Sequence, residues 1–180
     1  MEGQNETFPP CRVEAPYPEV RAGGRNARYA ELMLQNMSGS NSEMTAMGLY
    51  FYNHLITADW PEVAELFHRV SIVEMHHLEI FGALARQLGG DPRLWCRQGG
   101  RQTWWTPAYL QYSPRLGPLL QIALREEEAT ARMYENQAHF VHDANVAANL
   151  ERIAQDERLH AELFRHLLES YSRRNTVWPG

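Results

Sequence analysis

Two stretches decide the fold of this chain: EMHHLEIF at residues 74–81 and ERLHAELF at residues 157–164. They begin 83 residues apart and share the pattern E-x-x-H-x-E followed by an aliphatic residue and phenylalanine. In both, glutamate and histidine stand in a row of otherwise apolar residues that recurs every three to four positions, as on one face of an α-helix. We therefore predict two related helices, each with a glutamate and a histidine on its buried face.

The apolar rows continue on both sides of these stretches. They comprise Val63, Phe67, Val70, Glu74, His77, Phe81, Leu84 and Leu88 in the first, and Val146, Leu150, Ile153, Glu157, His160, Phe164, Leu167 and Tyr171 in the second. Two more helical rows each contain one glutamate followed seven residues later by a tyrosine: Glu43, Met47, Tyr50, His54 and Thr57, and Leu120, Leu124, Glu127, Ala131, Tyr134, Ala138 and Val141. Each half of the chain thus carries one glutamate and then a Glu-x-x-His pair.

The helical patterns and the breakers between them predict the topology. Helices are expected at about 27–37, 42–57, 59–88, 118–141 and 144–171. Asp59 is the expected N-cap of the third, with Pro61 in its first turn. No β-type alternation of useful length appears. The fold class is therefore all-α: a ferritin-like four-helix bundle made of two helical hairpins joined by one long crossover at about 89–117.

Composition narrows the class of protein. With 180 residues and 44% hydrophobic residues, the chain is expected to form one domain at 27–172, with an extended N-terminal tail at 1–26 and a C-terminal tail at 173–180. A net charge of −5 argues against nucleic-acid binding. The sequence contains no apolar run of membrane-spanning length, and the composition of residues 1–10 does not favour a secretory signal. Cys11 and Cys96 form no CxxC pair, so a Cys₄ zinc or rubredoxin-type site is excluded and a reducing, cytoplasmic setting is expected.

Four carboxylates in one core need compensation, because an unpaired buried charge costs several kcal/mol. No lysine or arginine falls on the four rows, so a buried salt-bridge network would lack cations. Two divalent ions, iron or manganese, would neutralise four carboxylates beside two neutral imidazoles. The predicted ligands are Glu43, Glu74, His77, Glu127, Glu157 and His160, with Glu74 and Glu157 the better candidates for bridging. In the run 126–128, Glu126 is the alternative or additional ligand to Glu127, and Glu128 is expected in solvent.

Other residues near the predicted site are not expected to bind metal directly. Tyr50 and Tyr134 either hydrogen-bond ligands or are ordinary core tyrosines. His76 is expected on the surface, and Glu79 and Glu162 in ion pairs away from the metals. Trp104 and Trp105 either cover a substrate channel or, as we favour, pack the crossover on the bundle.

These residues resemble the ferritin-like superfamily, specifically its rubrerythrin and manganese catalase branches, over about residues 27–172. Ser42-Glu43-Met44-Thr45 with Tyr50 and Tyr52, and then Glu74-x-x-His77-x-Glu79, resembles manganese catalase. Glu127 with Tyr134, and then Asp156-Glu157-x-x-His160, resembles rubrerythrin. The resemblance implies a dinuclear iron or manganese centre that reacts with hydrogen peroxide or dioxygen.

The chain departs from both branches. Rubrerythrins usually carry a rubredoxin domain as electron donor, and this sequence lacks the cysteines for one. In manganese catalases the fourth-helix glutamate is typically not a direct ligand, and the third-helix ligand lies further before the tyrosine, where this chain has Ala123.

The expected function is an oxidoreductase that consumes hydrogen peroxide, with catalase-like or rubrerythrin-like peroxidase activity. A peroxidase would need a separate electron donor such as rubredoxin. The alternatives are a ferroxidase or iron-handling protein with the same ligands, and a structural module that has kept the motif. The resemblance also implies a homodimer or a higher homo-oligomer.

Overall fold

The computed structural model describes residues 8–173, which form five α-helices and one short β-hairpin. The elements are α1 (Ala27–Ser38), α2 (Glu43–Ile56), α3 (Pro61–Gln87), β1 (Trp95–Gln98), β2 (Arg101–Trp104), a 3₁₀ turn (Pro107–Tyr109), α4 (Leu116–Phe140) and α5 (Ala144–Arg173). Helix α2 packs along α3 and α4 along α5, while α1 packs against α3. The predicted all-α bundle of two hairpins joined by one long crossover is confirmed.

The crossover contains a hairpin that the sequence pattern did not indicate. Strands β1 and β2 pair antiparallel, with Trp95 opposite Trp104 and Gln98 opposite Arg101. Gly99 and Gly100 join them with φ of 57° and 79°, a conformation that favours glycine and suits a tight two-residue turn. Strands of four residues are too short to show alternation in sequence.

The start of α3 differs from the prediction. Trp60 occupies the N-cap position without a side-chain hydrogen bond, and Pro61 begins the helix. Asp59 is exposed and precedes the cap, so the expectation that Asp59 caps this helix was wrong. Proline at the first position needs no hydrogen-bonded N–H, and it starts the helix without the carboxylate.

The apolar core has two parts with a polar layer between them. On α3, Val70 belongs to one buried apolar cluster and Ile80 to the other, and on α5 Phe164 and Ile153 are divided in the same way. The acids and histidines of both helices occupy the positions in between. The two apolar clusters thus enclose a polar layer in the middle of the bundle.

The N-terminal segment from residue 8 to residue 26 contains no helix or strand, but it lies against the bundle. Cys11 is buried in one of the apolar clusters. Most of the predicted C-terminal tail lies outside the described residues, and α5 continues to Arg173. No helix within residues 8–173 has the length and apolar character required to cross a membrane.

Candidate metal centre

The bundle brings all six predicted ligands together in the polar layer. Each of the four long helices contributes, with Glu43 as the first residue of α2. All six are at most 2% exposed: Glu43, Glu74, His77, Glu127, Glu157 and His160. Their ligand atoms form two overlapping groups, each within 4.8 Å: the His77 group (Glu43, Glu74, His77, Glu157) and the His160 group (Glu74, Glu127, Glu157, His160). Glu74 and Glu157 belong to both groups, so each shared carboxylate lies next to both histidines.

Each imidazole directs its Nδ1 into its group. His77 Nδ1 lies 2.9 Å from Glu157 Oε1, 3.2 Å from Glu74 Oε2 and 4.0 Å from Glu43 Oε2. His160 Nδ1 lies 3.0 Å from Glu74 Oε1 and 3.6 Å from both Glu127 Oε2 and Glu157 Oε2. One nitrogen and three carboxylates surround each position, so the two halves of the chain build nearly equivalent sites.

Three buried polar atoms of the cluster have no hydrogen-bond partner among the described residues. They are Glu74 Oε1, Glu157 Oε1 and His160 Nδ1. Glu74 Oε1 and His160 Nδ1 are 3.0 Å apart but do not have hydrogen-bond geometry. A buried polar atom without a partner costs about 1–3 kcal/mol. Oxygen and imidazole donors suit iron and manganese, and a cation coordinated by these atoms would satisfy them. The residues present therefore fit a dinuclear centre.

Without cations, the cluster must hold protons. Burial and the negative neighbours Glu157 and Glu74 raise the pKa of Glu43 well above its ordinary value, and burial, Glu74 and Glu157 do the same for Glu127. Burial opposes ionisation of Glu74 and Glu157 as well. The two histidines nevertheless hold the pKa of Glu74 below its usual range, and Glu127 and the two neighbouring histidines lower the pKa of Glu157. The shared glutamates thus favour the ionised form and the outer two the protonated form.

Two tyrosines connect the halves. Tyr50, on α2, donates a hydrogen bond to Glu127 Oε1 on α4. Tyr134, on α4, donates to Glu43 Oε1 on α2 at 2.5 Å. Burial, followed by the charge of the glutamate that each one contacts, raises both tyrosine pKa values well above 10, so both hydroxyls remain donors. Each tyrosine therefore orients the glutamate of the opposite half and leaves its second oxygen for the site.

The outer nitrogens of the two histidines have different partners. His77 Nε2 lies 3.2 Å from Asp156 Oδ2 and 3.3 Å from the Tyr17 hydroxyl. His160 Nε2 lies 2.7 Å from the backbone carbonyl oxygen of Cys11. Sequence reasoning assigned no role to these partners. Asp156 had a signal, since it immediately precedes Glu157 in Asp-Glu-x-x-His, whereas Tyr17 and Cys11 lie in an aperiodic segment without one.

Asp156 is a buried carboxylate that forms an ion pair with a buried arginine. Arg152 Nη1 lies 2.7 Å from Asp156 Oδ1, and both side chains are buried. Burial opposes ionisation, but His77, Tyr17, the Val13 N–H and Arg152 together lower the pKa of Asp156 to about 2. Arg152 is therefore committed to Asp156 and does not replace a metal ion among the six ligands.

A small cavity reaches the cluster from the side of α2 and α4. Its volume is about 40 Å³, and its lining includes Glu43, Glu127 and Glu157 together with Tyr109 and Gln111 of the crossover. This is room for about three water-sized molecules. Glu126 also lines the cavity, where its side chain is a third exposed and pairs with Arg125 at 2.8 Å. The structure therefore groups Glu127, and not Glu126, with the other candidate ligands.

The remaining polar candidates lie outside the cluster. Glu128 pairs with Arg165 at 2.7 Å, His76 is exposed 3.8 Å from Glu79, and Glu162 is exposed. The structure thus brings none of these side chains into either ligand group.

The two tryptophans Trp104 and Trp105 of the crossover have different surroundings. Trp105 Nε1 donates to Thr45 Oγ1 at 3.0 Å, which anchors the crossover to α2. Trp104 is half exposed beneath Arg93. Neither ring lines the cavity, which argues against a channel cover, and the contact of Trp105 with Thr45 fits the packing interpretation.

Comparison with known proteins finds one matching family model and several solved structures with a similar fold. The family model described as Rubrerythrin matches residues 38–168. A manganese catalase from Anabaena superimposes with a TM-score of 0.79 at 21% identity, over 94% of this chain and 84% of that one. A bacterioferritin from Rhodobacter capsulatus, described with a metal-free dinuclear site and a heme iron, gives 0.70 at 22% identity, over 83% and 89%. No curated protein matches the sequence significantly. At these identities the structural likeness shows a shared fold.

Proposed function

The chain belongs to the rubrerythrin family of the ferritin-like superfamily, and on that premise we propose that it is an oxidoreductase that consumes hydrogen peroxide at a dinuclear iron or manganese centre. One observation carries the proposal: two overlapping ligand groups share Glu74 and Glu157 in a buried layer of the bundle. A small cavity leads to that layer.

The six buried residues would hold the two ions. Glu43 and His77 would bind one ion, Glu127 and His160 the other, and Glu74 and Glu157 would bridge them. When bound, two such ions act as Lewis acids and exchange electrons with a peroxide or dioxygen ligand. The ligand types suit iron and manganese equally.

The protein contributes orientation and a small cavity. Tyr50 and Tyr134 hold the outer oxygens of Glu127 and Glu43, which restrains both carboxylates when a small molecule enters. The cavity has room for a molecule the size of hydrogen peroxide or dioxygen beside the candidate ligands. Glu126, in contact with both the cavity and solvent, is placed to exchange protons between them.

The same proposal gives expectations for the oligomeric state, the cellular compartment and the electron donor. We expect a homodimer or higher homo-oligomer in a reducing, cytoplasmic compartment, where Cys11 and Cys96 stay free thiols, as they are here. Peroxidase turnover would draw electrons from a separate donor such as rubredoxin, whereas catalase turnover requires none.

The test is peroxide consumption by the chain reconstituted separately with Mn²⁺ and Fe²⁺. Oxygen release without reductant indicates catalase activity, and peroxide loss only with an added donor indicates peroxidase activity. Glu74→Gln should abolish either activity. The matched control is Glu79→Gln, an exposed change on the same helix that should leave activity within about twofold.

Two results would contradict the proposal. Full metal occupancy without any peroxide consumption excludes the activity. Retention of far more than two irons per chain after aerobic loading indicates iron storage by a ferroxidase instead.

A further inference from the structure

Residues 9–20, which we call the N-terminal strap, lie across the histidine side of the polar layer. The strap contacts the outer nitrogens of both candidate ligand histidines, through the Cys11 carbonyl and the Tyr17 hydroxyl. These residues are 149 and 60 positions from His160 and His77 in sequence. The strap therefore contacts both halves of the site from this side.

The strap determines which nitrogen of His160 carries the proton. A backbone carbonyl oxygen accepts hydrogen bonds and cannot donate, so the 2.7 Å contact with Cys11 places the proton on His160 Nε2. The neutral ring then has its lone pair on Nδ1, which faces Glu74, Glu127 and Glu157. The strap thus prepares His160 as a metal ligand.

At His77 the strap acts through Asp156. Tyr17 donates to Asp156 Oδ2 at 2.5 Å, and the Val13 N–H donates to Asp156 Oδ1 at 2.7 Å. Asp156 Oδ2 in turn lies 3.2 Å from His77 Nε2. Both carboxylate oxygens are therefore held by the strap while one of them orients the ring.

A buried arginine fastens the strap to α5. Arg152 donates to the carbonyl oxygens of Ala15 at 2.8 Å and Val13 at 2.9 Å, and its guanidinium lies 4.2 Å above the Tyr17 ring. Asn149 donates to the Glu19 carbonyl at 3.1 Å. The segment thus has hydrogen-bonded anchors along its length despite having no helix or strand.

We propose that the N-terminal strap is a working part of the metal centre: it positions both imidazoles, and it makes the His77 position bind metal more tightly than the His160 position. This inference rests on the dinuclear centre proposed above. A histidine that donates to a carboxylate is a stronger base than one that donates to a carbonyl, and losing such a partner typically lowers metal affinity 10–100-fold. The residues that would coordinate the metals directly do not account for a difference in affinity. Each position has one histidine, one unshared glutamate and the same two shared glutamates.

The experiment is a titration of the metal-free full-length chain with Co²⁺, followed by visible absorption. The wild type should bind its first Co²⁺ at least about tenfold more tightly than its second. Glu43→Gln should remove the tight step and Glu127→Gln the weak one. Tyr17→Phe should weaken the tight step about tenfold and leave the weak step within about twofold. Tyr112→Phe, at an exposed tyrosine, is the matched control and should alter neither step.

A second measurement uses the wild-type chain alone. Arg12 is an exposed trypsin site inside the strap, and Arg101 is an exposed site in the remote β-hairpin. Metal that is coordinated by His77 and His160 holds the strap's partners in place, so loading should slow cleavage after Arg12 at least about tenfold by suppressing local opening. Cleavage after Arg101 should not change.

The outcomes separate the two proposals. Two equal Co²⁺ steps, or a Tyr17→Phe variant that weakens both steps alike, would overturn the role of the strap and leave the dinuclear centre intact. Equal cleavage after Arg12 with and without metal would do the same, even if Tyr17→Phe failed to fold. No Co²⁺ binding by the folded wild type would refute the dinuclear centre itself.

Discussion

The two halves of the candidate centre have the same ligands but different surroundings. In each half, a glutamate is followed seven residues later by a tyrosine, and a Glu-x-x-His pair lies on the next helix. Beyond the ligands the halves differ, because His77 contacts a buried carboxylate while His160 contacts a backbone carbonyl. An internal repeat can therefore reproduce a ligand set while the basicity of each histidine depends on partners that are not repeated, such as Asp156 and the Cys11 carbonyl.

The largest expected effect separates shared from unshared glutamates. Glu74→Gln or Glu157→Gln should reduce the metal content from about two ions per chain to well below one, because each removes a bridging carboxylate from both positions. Glu127→Gln should leave about one ion. Metal analysis after dialysis of the folded variants measures this, and equal losses in all three would show that the halves do not share ligands.

The next largest effect is on the stability of the metal-free chain, which should fall as pH rises. The pKa values of Glu43 and Glu127 are raised above 4.5. Burial lowers the pKa of both histidines, but the hydrogen bond with Asp156 outweighs it at His77 and the negative charge of Glu74 outweighs it at His160. Both histidine pKa values are therefore raised above 6.5. The folded state therefore binds more protons than the unfolded state above about pH 5, and its stability falls as pH increases. Tm of the chain in chelator should decrease steadily from about pH 6 to 9.

Bound metal should remove this fall in stability with pH, and substitution of Glu43 or Glu127 should reduce it. Ions replace the protons, so the loaded chain should have a nearly flat profile and, at 1,000-fold excess over Kd, about 4 kcal/mol more stability. Glu43→Gln and Glu127→Gln should each flatten the metal-free profile by a similar amount, while exposed Glu151→Gln should not. A clear inequality between the first two variants would show that the halves differ in their ligands as well as in their surroundings.

The tyrosines allow a crossed test of the comparison. Tyr134→Phe should weaken the His77 position about tenfold, because Tyr134 holds Glu43, and Tyr50→Phe should weaken the His160 position through Glu127. Stepwise Co²⁺ titration distinguishes the two. If each tyrosine instead affected the position on its own helix, the hydrogen bonds across the bundle would not govern metal binding.

The smallest effect is expected at Glu126. Glu126→Gln should leave two ions per chain and both Kd values unchanged, since this side chain lies in the cavity outside both ligand groups. Peroxide consumption should fall only several-fold through slower proton exchange. Loss of one metal ion would instead make Glu126 a ligand in place of Glu127.

The ligand set was predictable because helical periodicity is local. Residues three, four and seven apart share a helix face, so Glu74 with His77 and Glu127 with Tyr134 could be assigned to buried faces from their neighbours alone. The same periodicity predicted the four long helices. It could not place Asp59 outside α3 or detect the four-residue strands, because caps and short hairpins depend on single residues and their packing.

What the sequence determined by itself was the bundle and the six buried groups, since an acid in an apolar row is visible without coordinates. What only the tertiary structure decided was which groups meet: the crossed contacts of Tyr50 and Tyr134, the choice of Glu127 over Glu126, and the strap over His77 and His160. The reason is physical. Periodicity constrains residues within one helix, whereas hydrogen bonds between residues 60 to 149 positions apart depend on how separate segments pack.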